Sequence, residues 1–384
     1  MIYLDHNATT RPAPEVVTEM VDALERAWAN PSSTHEPGQG ARRLLADART
    51  RVARLLGCSG AELVFTSGAT EANTTAVLGG LAQAAQADAA RRRWVLSAVE
   101  HPGLLALAER LRAQGMPVDL IPVDGQGRLD LAAADRLIGP DVALVSLMGA
   151  NNETGVLMPV AEVSAMAHAA GARLHVDATQ LAGKAPLDFA ACGADLMCVS
   201  AHKLHGPKGV GALVVRKGLA LPGLLAGRQE RHRRGGTENI PGIAGFAAAC
   251  DRTAATLADD LMRMTALRQQ LEAGLLAVPG LKLFGQQAAR LPNTVCVRFG
   301  RLDSEQVLGK LERAGVVASS GAACTAAGTQ PSHVLLAMGE DAEAAKAGVR
   351  FSLGRETTAA DIAHTLAAVQ RVVVPLLAPE ALAA

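Results

Sequence analysis

Short apolar runs, typical of buried strands, alternate with helical patterns along the first two thirds of the chain. The runs are ELVFTS, RRWVLSAVEH, VALVSLMGANNETG, ARLHVDATQ, DLMCVSAHK and GVGALVV. The intervening helical patterns are ATEANTTAVLGGLAQ, GLLALAERLRAQG and VAEVSAMAHAAG, the last ending at Gly171. Strands that are apolar on both faces and separated by helices indicate a mainly parallel α/β sheet. The last run follows a turn and is predicted to pair with the strand before it.

Polar side chains follow four of these strands at their carboxyl ends. They form the clusters Glu100–His101, Asn151–Glu153, Asp177–Gln180 and Ser200–Lys203. The carboxyl ends of parallel strands lie at one edge of the sheet, where α/β proteins bind their ligands. The sequence therefore predicts a functional site at this edge.

After about residue 250 the pattern changes to long helices mixed with single strands. A long amphipathic helix, ADDLMRMTALRQQLEAGLLAVPG, precedes the strand PNTVCVRF and the helix DSEQVLGKLERAG. The strand and loop VVASSGAAC follow, and a closing helix is predicted to begin at Thr357 or Thr358, with Asp361 nearby. This mixture favours a smaller α+β domain.

Composition narrows the class of protein and its partners. The 384 residues are 49% hydrophobic, and we predict a large domain over 14–250 and a small domain formed by 1–13 and 251–384. Lys plus Arg number 37 and Asp plus Glu 37, so the formal net charge is zero and favours neither nucleic acid nor an acidic membrane. Aromatic residues are only 2%, which argues against base-stacking surfaces.

The ends of the chain and its cysteines indicate a cytoplasmic protein. The N-terminal stretch MIYLDHNATTRPAPEVV lacks a secretory signal pattern, and we expect no transmembrane helix. The six cysteines contain no C-x-x-C pair, which favours a reducing compartment and argues against a zinc site. They are Cys58, Cys192, Cys198, Cys250, Cys296 and Cys324.

The stretch SAHKLHGPKGVGAL places Lys203 between His202 and His205, after an apolar run and before a series of glycines. A lysine at a strand end with cationic neighbours can lose its proton near neutral pH and form a Schiff base. On this stretch alone, a turn lysine without catalytic consequence is an equal alternative. Lys208 is the nearest rival, and because it follows Pro207 in the turn we expect it to point away.

Other polar positions favour the catalytic interpretation. Asp177 ends a buried strand and needs a cationic or donating partner, such as a protonated pyridine nitrogen. The stretch TSGATEAN places Ala69 and Thr70 in a strand-to-helix turn whose amides can hold a phosphate, although no Walker loop occurs. His101 is fixed by Pro102 and can stack on a cofactor ring, but a lone histidine is more often an ordinary core residue.

Two residues are candidates for contact with the substrate. Cys324 lies in ASSGAACTAAGTQPSH, a loop of small side chains that we expect to be mobile, with an exposed thiol able to act as a nucleophile. A structural cysteine is an equal alternative for the loop alone. Arg350, within GVRFSLGRE, is expected to be buried and to bind a carboxylate through two parallel hydrogen bonds.

Ten motifs, taken in chain order, resemble those of the cysteine desulfurases of the NifS/IscS type. They are YLDHNATT, NPSSTHEPG, TSGATEAN, EHPG, NNETG, HVDATQ, SAHKLHGPKGVGAL, QERHRRGGTENI, SSGAACTAAGTQPSHVLLAMG and RFSLGR. These enzymes belong to aminotransferase class V and to the pyridoxal-phosphate enzymes of fold type I. The resemblance implies a large domain with a mainly parallel sheet of the seven-stranded type and a smaller α+β domain. It also implies conversion of L-cysteine to L-alanine, with the sulfur passing to an enzyme cysteine.

The resemblance implies a role for each candidate residue. Lys203 would form the Schiff base with pyridoxal phosphate and remove the substrate's α proton, and His101 would stack on the ring and carry protons. Cys324 would be the nucleophile that receives the sulfur as a persulfide, and Arg350 would hold the substrate carboxylate. The other contacts would come from Asn152 beside the ring and the substrate, Asp177 at the pyridine nitrogen, Gln180 at the ring oxygen, Ala69, Thr70, Ser200 and His202 at the phosphate, and Thr237 across a dimer interface.

The implied partners are L-cysteine, a second copy of the chain and a sulfur-acceptor protein of iron–sulfur cluster assembly or a thiolation pathway. No intrinsic metal site is implied; the resemblance is compatible with transient ligation of an iron–sulfur cluster by Cys324 through its persulfide. The chain departs from the family at Ala226–Arg228, where a run of glycines is common, and at Ala326–Ala327, where a serine is common. Its C-terminus, PLLAPEALAA, is short and apolar. These departures concern the choice of acceptor.

Two alternative functions stay open at this point. One is another class V activity, such as selenocysteine lysis, transamination or sulfoxide lysis, which would need no thiol at Cys324. The other is a non-catalytic sulfur-relay platform, which the presence of Lys203, Asp177 and Arg350 argues against.

Overall fold

The computed structural model describes residues 1–321 and 330–377. The strands are β1 (Ile2–Tyr3), β2 (Leu63–Thr66), β3 (Arg93–Ser97), β4 (Val118–Ile121), β5 (Val142–Met148), β6 (Arg173–Asp177), β7 (Leu196–Ser200), β8 (Gly211–Val215), β9 (Leu281–Leu283), β10 (Thr294–Phe299), β11 (Val316–Val317), β12 (Ser319–Ser320) and β13 (Val349–Ser352). The helices are α1 (Pro14–Arg26), α2 (Glu36–Leu56), α3 (Ala69–Ala87), α4 (Pro102–Ala113), α5 (Leu131–Leu137), α6 (Val160–Ala169), α7 (Phe189–Cys192), α8 (Gln229–His232), α9 (Ile240–Leu276), α10 (Ser304–Arg313), α11 (His333–Ala337), α12 (Ala342–Lys346), α13 (Ala359–Val372) and α14 (Val374–Leu377).

A seven-stranded sheet forms the centre of the fold, in the order β2-β8-β7-β6-β5-β3-β4. Strand β8 runs antiparallel to both β2 and β7, and the other six strands point the same way. The predicted mainly parallel sheet is confirmed, as is the pairing of GVGALVV with the strand before it. The carboxyl ends of β3, β5, β6 and β7 therefore meet at one edge of the sheet.

Both faces of this sheet are buried because its strands alternate two sets of apolar side chains. One set packs under α3 and α4 and includes Val64, Trp94, Leu96, Leu144, Leu196 and Leu213. The other set lies on the opposite face of the sheet and includes Phe65, Val95, Val145, Val176, Val199 and Ala212. A sheet covered on both faces can carry continuous apolar strands, which is why the runs in the sequence show no polar alternation.

A second, smaller core surrounds a four-stranded antiparallel sheet in the order β12-β13-β10-β9. The start of the chain joins this core, because β1 pairs in parallel with β11 and Leu4 is fully buried. The stretch VVASSGAAC is divided: β11 pairs with β1, and β12 pairs with β13. The expected single strand thus contributes to two different sheets.

The long helix begins earlier than its amphipathic pattern predicted. Helix α9 runs 37 residues from Ile240, capped by Asn239, whose side chain accepts a hydrogen bond from the Gly242 amide. Its first turns contain small and apolar residues that are buried on nearly every side, so amphipathic periodicity starts only later. Cys250 lies in the core of the large sheet, while Leu271 lies in the core of the small one.

The closing helix was predicted to begin at Thr357 or Thr358, and in the structure Thr358 is its N-cap. Its hydroxyl accepts a hydrogen bond from the Asp361 amide, and the Asp361 carboxylate accepts one from the Thr358 amide, which forms a capping box. Contrary to expectation, the stretch Ala359–Leu377 is long and apolar enough to cross a membrane by length and composition alone. A core helix passes the same test, and Ile362 and Val369 are fully buried in the small core.

A close approach between β8 and the turn after β2 requires a glycine at position 211. A Cβ atom at Gly211 would lie 2.6 Å from the Val199 carbonyl oxygen and 2.8 Å from the Gly68 Cα atom. Both neighbours are backbone atoms that cannot move without displacing the β2–α3 turn. Gly68 itself has φ of +153°, a conformation that favours glycine.

We predict that Gly211→Ala lowers the free energy of unfolding by about 1–3 kcal/mol because the new methyl group overpacks this approach. Gly40→Ala is the matched control, since its Cβ would meet nothing closer than 3.9 Å within α2. That substitution should be neutral or stabilising by up to about 1 kcal/mol through helix propensity. Urea denaturation of both variants measures the difference, and equal effects would contradict the steric argument.

Candidate active site

A cavity of about 510 Å³ opens at the carboxyl edge of the seven-stranded sheet. The structure places ten of the predicted site residues in its wall: Ala69, Thr70, His101, Asn152, Asp177, Gln180, Ser200, His202, Lys203 and Arg350. Four strand ends and one strand of the small sheet therefore contribute to a single site. Thr237 lies outside this wall, and Cys324 lies outside the described residues.

One end of the cavity is formed by the N-terminus of α3. Gly68 is the N-cap, and within the described chain no side chain caps this helix end. The amides of the first turn, at Ala69 and Thr70, are thus available to an anion, which the helix dipole also favours. Ser200 and His202 line the same cavity, and burial together with the charge of Lys203 lowers the pKa of His202 to about 4. His202 therefore contributes to the cavity through hydrogen bonding and not through charge.

Asp177 presents a carboxylate to the cavity at the end of β6. Its Oδ2 accepts a hydrogen bond from Asn73 Nδ2 at 2.7 Å, and its Oδ1 accepts one from the Thr179 amide at 3.0 Å. Asn73 reaches it from α3 and also lines the cavity. The sequence analysis missed Asn73, although its place in TSGATEAN, one turn after the phosphate-binding residues, was a usable signal.

Lys203 projects from a short 3-10 turn that follows β7. Its Nζ donates to the Asn7 carbonyl oxygen at 2.6 Å and to the Ala8 carbonyl oxygen at 2.7 Å. The N-terminal segment therefore holds the amine at the cavity wall. Lys208 also lines the cavity, on its exposed side, so the expectation that it points away is wrong.

Lys184 is a buried lysine beside the cavity that the sequence analysis did not identify. Lys184 is 5% exposed, and its Nζ donates to Asn7 Oδ1 at 3.1 Å and to Gln180 Oε1. Gln180 in turn donates from Nε2 to the Asn7 carbonyl oxygen at 3.1 Å. Because Lys184 occupies the amide oxygen, Gln180 directs its N–H₂ group toward the cavity. Burial, with the charges of Lys203 and Arg350, holds the pKa of Lys184 well below its usual value.

Arg350 enters the cavity from β13 of the small sheet and is 5% exposed. Its Nη2 donates to Asp5 Oδ1 at 2.6 Å and its Nη1 donates to the Asn152 carbonyl oxygen at 2.9 Å. Its Nε is buried and finds no acceptor among residues 1–321 and 330–377. The expected carboxylate partner is thus partly supplied within the chain by Asp5, and a donor remains for an external anion.

His101 stands at the end of the β3 segment and caps α4. Its Nδ1 accepts a hydrogen bond from the Gly103 amide at 3.1 Å, so Nε2 carries the hydrogen in the neutral ring. Burial lowers the pKa of His101, the Asp177 carboxylate opposes that shift, and Lys203 adds to it. A neutral ring fixed by its own helix end can face a flat aromatic group in the cavity.

The described chain reaches the cavity at Gly321, three residues before Cys324. Glu153 packs directly under Gly321 and accepts a hydrogen bond from the Ser332 hydroxyl at 2.5 Å. One buried carboxyl therefore lies against residues on both sides of the undescribed segment, Gly321 before it and Ser332 after it. Burial raises the pKa of Glu153 to about 7, although the Ser332 hydrogen bond and Arg350 favour its ionised form.

The remaining cysteines are poor nucleophiles. Burial raises the pKa of Cys58 to about 12 and also raises those of the four other described thiols. None of these five lines the cavity within the described part of the chain. The thiolate is the reactive form of cysteine, so these positions disfavour nucleophilic chemistry.

Thr237 is exposed on a loop whose base is anchored to α3. Arg234 Nε donates to Glu71 Oε1 at 2.9 Å, and Glu71 lies in the first turn of α3. The loop is thus attached beside the cavity, while Thr237 is absent from the cavity wall.

Comparison with known proteins supports the interpretation of this geometry. The pattern of the aminotransferase class-V family matches residues 2–364. A cysteine desulfurase of Cereibacter sphaeroides is 47% identical over 369 residues, covering 95% of this chain and 94% of that protein. A solved structure described as a NifS-like protein superposes with a TM-score of 0.88 at 34% identity, covering 96% of this chain and 98% of the other.

A further solved structure, SspA in complex with cysteine, superposes with a TM-score of 0.81 at 28% identity, covering 93% of this chain and 100% of that one. The match to the family pattern and the relatives both extend over nearly the whole chain, including the cavity and both sheets. The chain therefore belongs to the aminotransferase class-V family, in its cysteine desulfurase branch.

Proposed function

We propose that this cysteine desulfurase uses pyridoxal phosphate held in the cavity, with Lys203 as its covalent anchor and Arg350 as the site for the substrate carboxylate. The observation that carries the proposal is that one cavity joins an uncapped helix N-terminus, a buried carboxylate, a lysine amine and a buried arginine. The first three features suit the phosphate, the ring nitrogen and the aldehyde carbon of pyridoxal phosphate, in that order. The arginine suits the carboxylate of the amino-acid substrate.

The donors and acceptors of the cavity fit pyridoxal phosphate. The α3 amides at Ala69 and Thr70, together with Ser200 and His202, would hold the phosphate. Asp177 would accept from the protonated ring nitrogen, and Gln180 would donate to the ring oxygen, because Lys184 occupies its amide oxygen. When bound, the cofactor supplies an electron sink for negative charge developing on the substrate.

The substrate end of the cavity is built to bind an amino-acid carboxylate. Arg350 has a buried Nε donor without an acceptor in the described chain, and we infer that its guanidinium binds the carboxylate of L-cysteine. Asn152 lines the cavity beside Arg350 and would assist. Asp5 holds the guanidinium in place, so the arginine is oriented before the substrate arrives.

Lys203 and His101 would handle the protons. The Lys203 amine, once released from the cofactor, would remove the substrate α proton at Nζ. His101 carries its hydrogen on Nε2 and would exchange protons with the substrate sulfur and carbon. Its position in front of α4 keeps Nδ1 occupied, so proton exchange is confined to one nitrogen.

Cys324 would receive the sulfur. Its thiolate would attack the substrate Sγ, forming a sulfur–sulfur bond while the Cβ–Sγ bond breaks and its electron pair stays with carbon. That carbon takes up a proton, so L-cysteine plus enzyme thiol give L-alanine plus enzyme persulfide without an external oxidant. Gly321, the last described residue before the segment that contains Cys324, lines the cavity, which supports this assignment.

A second copy of the chain would complete the site, with Thr237 of the partner subunit reaching the phosphate. A row of exposed apolar side chains supports an interface: Val17, Val21, Leu24 and Trp28, at i, i+4, i+7 and i+11 along and just beyond α1. Trp28 is 74% exposed, which is unusual for its size.

The Cys324 persulfide would then pass to an acceptor protein of cluster assembly or thiolation. The protein would work in the cytoplasm, because the described cysteines are unpaired, as is usual in a reducing compartment.

The domain division that we infer follows the two cores in part, since Phe284, Cys296 and Val334 of the second segment pack in the large core. The large domain would cover 14–250, and 1–13 with 251–384 would form the small domain. Leu4 and Leu271 lie in the small core, and Ile243 and Cys250 lie in the large one, which supports this division.

We predict that Lys203→Ala abolishes covalent cofactor attachment and lowers alanine formation by at least about 10²–10⁴-fold, the usual contribution of a catalytic base. Lys208→Ala is the matched control, because Lys208 also lines the cavity and should leave the attachment intact. Borohydride reduction followed by peptide mapping measures the site. A reduced adduct on another lysine in Lys203→Ala would show that the anchor is assigned to the wrong residue.

The variant Cys324→Ser should bind pyridoxal phosphate and L-cysteine normally yet release about 1% or less of the wild-type alanine. A serine hydroxyl ionises far less readily than a thiol and cannot accept sulfur. Cys58→Ser should retain activity, since Cys58 lies away from the cavity. Alanine release under a dithiol reductant, and mass spectrometry for one added sulfur on the peptide of Cys324, measure the effect. Wild-type turnover in Cys324→Ser would favour a thiol-independent lyase.

Light scattering should show a homodimer, and Trp28→Glu should shift it toward the monomer, because a carboxylate replaces the most exposed member of the apolar row. Glu25→Gln on the same helix is the control and should stay dimeric. If the dimer completes the phosphate site, the monomeric variant should also lose affinity for pyridoxal phosphate. A fully active, stable wild-type monomer would refute the shared site.

A further inference from the structure

Five buried side chains form a continuous row of hydrogen bonds that ends at Asp177. Trp94 Nε1 lies 2.9 Å from Ser146 Oγ, which lies 3.0 Å from His175 Nδ1. His175 Nε2 lies 3.1 Å from Asn73 Oδ1, and Asn73 Nδ2 lies 2.7 Å from Asp177 Oδ2. Each of the five is at most 7% exposed. We refer to this row as the Trp94–Asp177 relay.

The chemistry of its two ends sets the direction of every hydrogen bond in the relay. An indole nitrogen can only donate, so Trp94 donates to Ser146. An ionised carboxylate can only accept, so Asn73 donates from Nδ2 to Asp177. The opposite orientation of the Asn73 amide would place its oxygen against a carboxylate oxygen in a buried environment, which is unfavourable.

These two ends leave one tautomer for His175. Asn73 directs Oδ1 at Nε2, so Nε2 carries the hydrogen and donates. Ser146 accepts from Trp94 and directs its own hydrogen at Nδ1, which is therefore unprotonated. Cys198 Sγ lies 3.4 Å from Nε2 and can share the same hydrogen as a weak acceptor. Burial lowers the pKa of His175 to about 4, although Asp177 favours the charged ring.

We propose that the Trp94–Asp177 relay is a positioning device that holds the Asn73 N–H₂ group on Asp177 and thereby fixes the orientation of the carboxylate that faces the cavity. His175 acts through Asn73 and touches neither cofactor nor substrate, so it is a positioning residue. The consequence for the reaction rests on the proposed function, in which Asp177 binds the ring nitrogen.

The relay predicts that cofactor affinity and kcat depend on the hydrogen-bonding groups of residue 175 more than on its imidazole ring. His175→Gln keeps one acceptor for Ser146 and one donor for Asn73, so affinity for pyridoxal phosphate and kcat should stay within about threefold of wild type. His175→Leu has a similar volume but leaves the Asn73 oxygen without a donor, so the amide can turn. We expect about a tenfold loss in both quantities, with an unchanged KM for L-cysteine because Arg350 is untouched.

Nitrogen NMR of the full chain, labelled at its histidines, tests the relay with and without added pyridoxal phosphate. The His175 signal, assigned by its disappearance in His175→Gln, should show hydrogen on Nε2 and none on Nδ1 from pH 8 down to about 5.5. A hydrogen on Nδ1, or a charged ring at neutral pH, would overturn the relay. So would equal losses of cofactor affinity in His175→Gln and His175→Leu.

The tautomer measurement separates this inference from the proposed function. If the protein bound no pyridoxal phosphate, the proposed function would fail while the nitrogen signals would still decide the direction of the hydrogen bonds. If His175→Leu does not fold, Ser146→Ala replaces it: the lost donor at Nδ1 should shift that nitrogen's signal in a chain whose cavity residues are unchanged. An unmoved signal would count against the relay.

Discussion

The geometry of the site depends on the hydrogen bonds of one buried residue, Asn7. Its carbonyl oxygen accepts from Lys203 and Gln180, and its Oδ1 accepts from Lys184 and from Asn293. Its Nδ2 donates to Thr294 Oγ1 and to the Asn152 carbonyl oxygen, and its amide donates to Ser352 Oγ. The backbone and side chain of this one residue thus tie the Lys203 amine on the large sheet to strands β10 and β13 of the small one.

This arrangement explains how two amines and an arginine can share a small buried space. Lys184, Lys203 and Arg350 repel one another, and the repulsion is offset by carbonyl oxygens and by Asp5 rather than by a second buried acid. Apart from Asp5, these acceptors are backbone carbonyls and the side-chain amide oxygens of Asn7 and Gln180, which do not change charge with pH. The positive character of the cavity is therefore built into the fold, and it suits a phosphate and a carboxylate, the two anions that the proposed reaction brings together.

Asp177 is a further carboxylate of the cavity wall, at the end of β6. Asp177 is supported by Asn73 and the Thr179 amide, while Glu100, fully buried nearby, has its pKa raised well above the usual value by burial and by the Asp177 charge. Two ionised carboxylates would repel each other in a medium of low polarity, and the raised pKa of Glu100 favours its neutral form. The cavity thus separates an anion-binding end from a carboxylate that can receive a cationic ring.

Much of this protein could be predicted from its sequence, and the physical reason is periodicity. Apolar runs determine buried strands, their carboxyl ends share an edge, and so the polar clusters at His101, Asn152, Asp177 and Lys203 could be assigned to one site without coordinates. The residues that escaped prediction, Asn7, Asn73 and Lys184, come from a loop, a helix and a turn, where no period relates sequence position to direction. The start of α9 was misplaced because helix turns buried on all sides lose the amphipathic signal.

The sequence by itself determined the α/β class, the edge at which the site lies and ten of the residues in its wall, because these follow from local pattern and from motifs. Only the tertiary structure decided which residues hold them: Asp5 on Arg350, Lys184 on Gln180, and the direction of the hydrogen bonds behind Asp177. Such contacts join positions up to 345 residues apart, and their formation depends on how two sheets pack, which no local pattern encodes.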